Sequence, residues 1–558
     1  MYTVIFKMPG RPDVKVQAER GENLLELARR VGVAISSPCA GNGTCGKCRV
    51  KLISGDVEME KNIRLSDEDY AEQWRLACAS RICGNAVVWI PGSARAFRNS
   101  IKTADLSSPE ELARYIASAK RVFDAGIAHG CTETGVGIGV DIGTTTVTAA
   151  MLDLATGQVL AKSSMGNGQI RYGADVINRI IQAAKPGGGE RLRHLVCEET
   201  VVPIFESLCT SAGKTADDIS RVVISGNTTM EHLFVGADVQ SIRLEPFVPE
   251  FLELHGQTAG GLGLPAQPDA PVIFAPNAGS YVGGDISAGL LPSMLWDSDD
   301  LSLFIDLGTN GELVLGNRDF MLCCACSAGP AFEGGDISCG MRATDGAVDY
   351  CTIDAETMEP TLSLISDEKP LGVCGSGLIA MIGELFRCGI ISAQGRFIRE
   401  GPRIREDEYG GLAYVFAYPE DSATGAALKL TESDLDNFIR AKAAVFSAIR
   451  TMLNSLDMTV DDIEHIIIAG GIGSGIDIEK AISIGMLPRV DLSKYSYIGN
   501  SSLTGACLMV QSDAATEKVF EIGRNMTYVE LSMNPRYMDE FVAACFLPHT
   551  DETLFDEN

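Results

Sequence analysis

The chain has 558 residues, which at about 150 residues per domain predicts three to four domains. Lys and Arg number 46 against 74 Asp and Glu, a formal charge of −28 that argues against nucleic acid as the main partner and against an anionic membrane surface. Hydrophobic residues at 46% and charged residues at 22% are ordinary globular usage. No apolar run approaches the ~18 residues that span a bilayer, and the first residues lack a signal-peptide pattern, so the expectation is a soluble cytoplasmic protein. In that compartment 17 cysteines are expected as buried thiols or metal ligands rather than disulfides.

Thr3 to Phe6 and Val14 to Val16 predict a β-hairpin turning around Gly10 to Pro12, and Glu22 to Gly32 predict a helix with Leu24, Leu25 and Ala28 on one face. Cys39, Cys45 and Cys48 then stand as C-x5-C-x2-C, and Cys78 follows after 29 residues. Three thiolates in a tight loop and one distant thiolate are the layout of a [2Fe–2S] site. Gly41, Gly43 and Gly46 let the loop curl so that backbone N–H groups point at sulfur. A zinc site would favour two close C-x2-C pairs or Cys/His mixtures, and only one such pair is present with no His nearby. Cys83 is read as a buried thiol, with a spare-ligand role as the alternative. With a strand resuming at Arg49, this part resembles the plant-type ferredoxins, except that the first gap is five residues rather than four.

Residues 91–107 show no periodicity and predict a linker. Ser108, Pro109, Glu110 and Glu111 then form a helix start, and the helix should end at Gly126 or Gly130. A plain connector is the favoured reading of that helix, a docking element the alternative. The expected divisions are a ferredoxin-like domain at 1–92, a linker with one helix at 93–134, and two halves of a core at 135–300 and 301–558.

From Gly135 onward one design occurs twice. Asp141-Ile142-Gly143-Thr144 between two apolar strands is matched 165 residues later by Asp306-Leu307-Gly308-Thr309. Thr215 to Thr229 is matched by Thr459 to Gly473, each an Asp-Asp-Ile turn, a β-branched strand and a terminal glycine. Two copies in the same order predict a duplicated α/β unit with a cleft between its halves. The facing D-x-G-T hairpins resemble the phosphate grip of the actin, heat-shock-chaperone and sugar-kinase superfamily, which has a ribonuclease H-like fold. In that chemistry Gly143 and Gly308 admit the phosphate chain. Thr144, Thr145, Thr146, Thr309 and Asn310 donate to it, and Asp141 and Asp306 hold Mg²⁺ through water. Gly470, Gly471 and Gly473 resemble the superfamily's adenosine contact, so ATP is the expected nucleotide.

Asp285, Glu333 and Asp336 sit in Gly-rich segments and could each orient an attacking water; a turn-capping role is the competing reading. Alternation along Met321 to Cys326 turns Cys324 and Cys326 to one face and Cys323 to the other, which predicts packed thiols. Ala212-Gly213-Lys214-Thr215 looks like the end of a Walker A loop. It lacks the leading glycine, and a helix rather than a strand should precede it. The six histidines show no metal spacing, and there is no flavin or NAD fingerprint, so electrons must come from an external low-potential donor.

An iron–sulfur carrier fused to an ATPase makes sense if the electron must go uphill. The C-x5-C-x2-C domain, the linker, then GVDIGTTTVT, VVISGNTTM, IDLGTNGELVL, SAGPAFEGG and IIIAGGIG together resemble the reductive activators of corrinoid proteins, over nearly the whole chain. That resemblance implies ATP-dependent reduction of Co(II) to Co(I) on a corrinoid protein of a methyltransferase system. It also implies a cluster on Cys39, Cys45, Cys48 and Cys78. The expected mechanism pairs the chain as a homodimer, and the place of Ser327 after the second phosphate hairpin makes its hydroxyl the candidate cobalt contact. An activator of a radical dehydratase, and a phosphotransferase or redox-sensing binding module, are the alternative readings.

Overall fold

The computed structural model describes residues 1–8, 12–33, 35–37, 39–43, 45–62, 64–91, 102–104, 109–308, 310–366, 369–407, 410–471 and 475–555. The first ninety residues build a five-stranded sheet. The hairpin Tyr2–Lys7 and Val14–Ala18 stands beside Ser80–Trp89, Arg49–Met59 and Trp74–Leu76. Period-two alternation sets its register: Val4 pairs with Val16, and Val4, Phe6, Val16 and Ala18 are buried. Gly10, within the predicted turn, lies outside the described residues. The helix Leu24–Arg30 completes this core with Leu24, Leu25, Leu27 and Ala28. Asn23 starts it by accepting from the Leu25 and Glu26 N–H groups.

The stretch predicted as an aperiodic linker is partly sheet, because Lys102–Ala104 pairs antiparallel with Val159–Gly166 at the edge of a seven-stranded sheet. The helix Pro109–Asp124 follows, and the chain turns out of it at Gly126, whose N–H donates to the Phe123 carbonyl. Its predicted cap, Ser108, lies outside the described residues. This helix is a docking element rather than a plain connector. Val122 is fully buried in one core with Leu152, Leu290 and Val510, and Tyr115 Oη accepts from the Gln511 side chain at 2.6 Å.

The duplication is visible strand by strand. In the first half, Val136–Ile142 pairs antiparallel with Thr146–Asp153, then Val159–Gly166, and on its other side parallel with Ile219–Gly226 and then Pro271–Phe274. In the second half, Ser302–Leu307, Gly311–Gly316, Met321–Cys326, His465–Ala469 and Tyr495–Gly499 take the same places. Parallel neighbours need helical crossovers, and Val202–Ala212 and Glu432–Ser455 supply them. After each helix the chain re-enters the sheet through a reciprocal capping box, Thr215 with Asp218 and Thr459 with Asp462. Gly213 is the left-handed cap of the first of these helices, so no strand precedes Lys214 and the Walker-like stretch is a helix end.

The helices Gly284–Ser293 and Ser501–Gln511 join the halves. A Cβ on Gly505 would stand 2.0 Å from the Ala288 carbonyl oxygen, so the two cross at backbone contact. Their side chains share a core with Leu152 of the first sheet and Phe304 and Val314 of the second. Cys323 belongs to this shared core, whereas Cys324 and Cys326 face the core of the second half, as alternation predicts.

Candidate functional site

The four predicted ligand thiols come together at one end of the ferredoxin-like sheet. Their sulfurs stand as two pairs, Cys39 with Cys45 and Cys48 with Cys78, each 3.3 Å apart. The pairs are close enough for charge on Cys39 and Cys45 to act on Cys78. Two pairs of thiolates fit two bridged irons, one pair to each, and do not form the single tetrahedral cage of a structural zinc. The hydrogen bond to Cys78, and then burial, push the Cys48 thiol up, and the same bond holds Cys78 below the ordinary thiol range. The loop between them needs left-handed backbone at Gly41, Gly43 and Gly46, with φ of 97°, 76° and 69°. Asn23 fixes the distant ligand by donating to the Cys78 carbonyl at 2.6 Å.

The second site lies between the two D-x-G-T hairpins. In the first, the Gly143 N–H donates to the Thr146 carbonyl at 3.0 Å, and Asn167 donates to the Gly143 carbonyl at 3.0 Å. The Asn227 amide donates to Thr144 Oγ1 at 2.9 Å, the buried Arg179 donates to the Thr144 carbonyl, and the Thr145 hydroxyl donates to Glu333 Oε2 at 2.9 Å. Asp141 accepts from Asn500 and Ser502, both at 2.8 Å. In the second hairpin the Gly308 N–H donates to the Asn310 carbonyl at 3.0 Å. Thr309 lies outside the described residues, as does Gly473.

Four carboxylates converge here: Asp141, Asp285, Asp306 and Glu312. Burial, then Asp306 and Asp141, push Asp285 up to about 8. Burial, then Asp141, push Asp306 up to about 7. Glu312 is driven well above the carboxylate range by burial, Asp285 and Asp306, and burial raises Asp141 against its two hydrogen bonds. Buried carboxylates that repel one another are a fit for a divalent cation.

Gly470 closes this site, with φ of 90°; a Cβ there would lie 2.5 Å from the Leu307 carbonyl oxygen and 2.6 Å from Asp306 Oδ1. A Cβ on Gly471 would meet nothing within 4 Å among the described residues. Ser327 is exposed immediately after the strand Met321–Cys326. Asp336 is not with the carboxylates; it stands beside Lys47 and Cys39 of the cluster loop. Glu333 is held to the first hairpin by Thr145 rather than aimed at the carboxylate group.

Asn227, Glu312, Asn500 and Ser502 were not among the sequence-predicted residues. Glu312 had a readable signal: it is the hairpin partner of Asp306, so once the turn at Gly308 is placed, both side chains point to one face. Asn500 and Ser502 had none, since they reach Asp141 across about 360 residues of chain.

Comparison with known proteins divides the chain into three matches. Residues 8–83 match the 2Fe-2S iron-sulfur cluster binding domain, residues 136–298 the RACo middle region, and residues 300–558 the C-terminal domain of RACo, the ASKHA domain. The corrinoid activation enzyme RamQ of Eubacterium limosum is 33% identical over 457 residues, covering 79% of this chain and 74% of that protein. The [Co(II) methylated amine-specific corrinoid protein] reductase of Methanosarcina barkeri is 24% identical over 426 residues, covering 71% and 74%. Among solved structures, a reductive activator for a corrinoid, iron-sulfur protein superposes with a TM-score of 0.70 at 36% identity, covering all of both chains.

Proposed function

The chain belongs to the family of reductive activators of corrinoid proteins, and on that premise we propose that it uses ATP to return a Co(II) corrinoid on a methyl-transferring partner to Co(I), one electron at a time. One arrangement carries the reading: a four-thiol site on its own domain and a two-hairpin carboxylate cleft stand in the same chain and touch. The cluster, bound by Cys39, Cys45, Cys48 and Cys78, supplies a one-electron carrier near roughly −400 mV. An acceptor a few hundred millivolts lower costs about 2.3 kcal/mol per 100 mV, which ATP turnover can supply.

In this reading the turns Gly143 to Thr146 and Gly308 to Asn310 hold the phosphates from opposite sides. Asp141 and Asp306 orient the Mg²⁺ water shell, and Asp285 positions the attacking water. Gly470, Gly471 and Gly473 leave space for the nucleoside. Ser327 offers an exposed hydroxyl beside the second hairpin for the partner's cobalt. The functional divisions are 1–92, 93–134, 135–300 and 301–558. The electron comes from an external low-potential donor, since the chain has no flavin or NAD fingerprint. A homodimer completes the reading, and the exposed Met538 and Val542 on the helix Tyr537–Ala544, with Met533 in the turn before it, give it apolar surface. Among the described residues no helix is long and apolar enough to cross a membrane.

The test is an anaerobic spectrum. Iron-reconstituted protein, a low-potential reductant, Mg-ATP and a Co(II) corrinoid protein should develop the Co(I) band, and the band should not form without ATP. Full ATP-dependent Co(I) formation by Cys39→Ser or Asp306→Ala would refute the assignment.

A further inference from the structure

The iron–sulfur loop touches both halves of the cleft. On the second half, the Lys47 ammonium, between two cluster cysteines, donates to the carbonyl oxygens of Ile337 at 2.7 Å and Ser338 at 3.2 Å. Those carbonyls are braced from behind. Asp434 accepts from the Ser338 N–H at 2.7 Å and its hydroxyl at 2.6 Å, and Asn437 donates to the Asp336 carbonyl at 2.7 Å. On the first half, Arg29 lies 4.9 Å over the Tyr172 ring, and the Asn42 amide donates to Asn178 Oδ1 at 3.4 Å.

Both receiving stretches are wired to the first phosphate hairpin. Glu333, four residues before Ile337, accepts the Thr145 hydroxyl. Arg179, next to Asn178, donates to the Thr144 carbonyl, and its Nε donates to the Gly173 carbonyl, next to Tyr172, at 3.0 Å. The Thr145 hydroxyl has one proton to give. A phosphate oxygen arriving at that turn competes with the Glu333 carboxylate for it and, as a like charge, repels that carboxylate. Moving Glu333 moves the Ile337 and Ser338 carbonyls that follow it.

We infer that Ile337, Ser338 and Tyr172 form a nucleotide-sensitive docking surface for this chain's own iron–sulfur domain, seated across the cleft mouth by Lys47 of its cluster loop and Arg29 of its helix and released when phosphate takes Thr145 from Glu333. The inference rests on the ATP-driven reading above and adds to it where the carrier is parked and what lets it go. A loop seated on both halves also responds to any change in the angle between them, because packed elements shift as units rather than deform.

Hydrogen exchange on the cluster-loaded chain tests this. A non-hydrolysable ATP analogue with Mg²⁺ should raise amide exchange about tenfold in peptides covering 39–48 and 335–340 together. Lys47→Met should give the same rise without nucleotide, and so should Tyr172→Ala, made on the opposite domain. In each case the visible absorption of the cluster stays unchanged. The same variants should speed oxidation of the reduced cluster by a bulky outer-sphere oxidant by about the same factor. Unchanged exchange under an analogue that calorimetry shows to bind, or two variants that exchange like the parent, overturns the docking surface. ATP-dependent Co(I) formation persisting beside that result leaves the proposed function standing, whereas its loss in the parent chain removes the function itself.

Discussion

Asp285→Asn should stabilise the fold while abolishing ATP turnover. Asp285 is pushed up to about 8 from an ordinary 3.8, by burial first and then by Asp306 and Asp141. A carboxyl whose folded value lies above its unfolded value binds more protons in the folded state. Its share of stability is therefore greatest below about pH 3.8, declines as pH rises, and levels off above about 8. At pH 7 roughly three pH units of that window have been crossed, at about 1.4 kcal/mol each, which gives about 4 kcal/mol of destabilisation. Asparagine keeps the size of the protonated acid and cannot ionise, so it removes most of that cost. The assay is a set of melting curves from pH 5 to 8.5 without magnesium or nucleotide. The parent should lose Tm up to about pH 8, the variant should show a flatter profile, and the two should differ by roughly 4–8 °C at pH 7, at about 1–2 °C per kcal/mol for a cooperative unit of more than 400 residues. Parallel profiles for parent and variant would show that Asp285 is not held protonated by its neighbours and would remove the electrostatic argument for a cation site there.

Three further outcomes follow from the geometry. Cys39→Ser should abolish the [2Fe–2S] absorption, whereas Cys83→Ser should leave it intact; equal loss in both would place the ligand set wrongly. Gly470→Ala forces a Cβ to 2.6 Å from Asp306 Oδ1 at a φ of 90°, so Mg-ATP affinity measured by calorimetry should fall at least tenfold. Glu384 is buried, and hydrogen bonds from Arg387, Lys480 and the Ile353 N–H hold it, against burial, down to about 2. Glu384→Gln should cost about 3–5 kcal/mol in denaturant titrations at pH 7. The parent's advantage should vanish as pH falls from about 4.5 through 2, the window of a depressed carboxylate.

What the sequence revealed depended on how local each signal was. The cysteine loop was legible because its ligands and its glycines sit within a few residues. The duplicated halves were legible because each hairpin turns on glycine and each return strand begins at a Thr-x-x-Asp box. Lys102–Ala104 was not legible as sheet, since three residues cannot show a period of two. The helix Pro109–Asp124 showed its amphipathic pattern, but a pattern does not say which surface it meets. Asp336 looked like Asp285 in its Gly-Gly-Asp setting, yet a left-handed backbone at φ 55° sends it toward Lys47. The seat of Lys47 consists of main-chain carbonyls, which no side-chain alphabet records.

The short strand Lys102–Ala104 has a geometric consequence. Because it is stitched to Val159–Gly166, only ten residues of chain, 92–101, separate that sheet edge from residue 91. Ten residues, fully stretched at 3.3–3.6 Å each, extend no further than about 35 Å. Every delivery point must fall inside a sphere of that radius, enlarged by the width of the small domain and centred on one sheet edge. Once a partner is docked, a target inside that sphere meets the carrier at a concentration set by the tether rather than by the bulk.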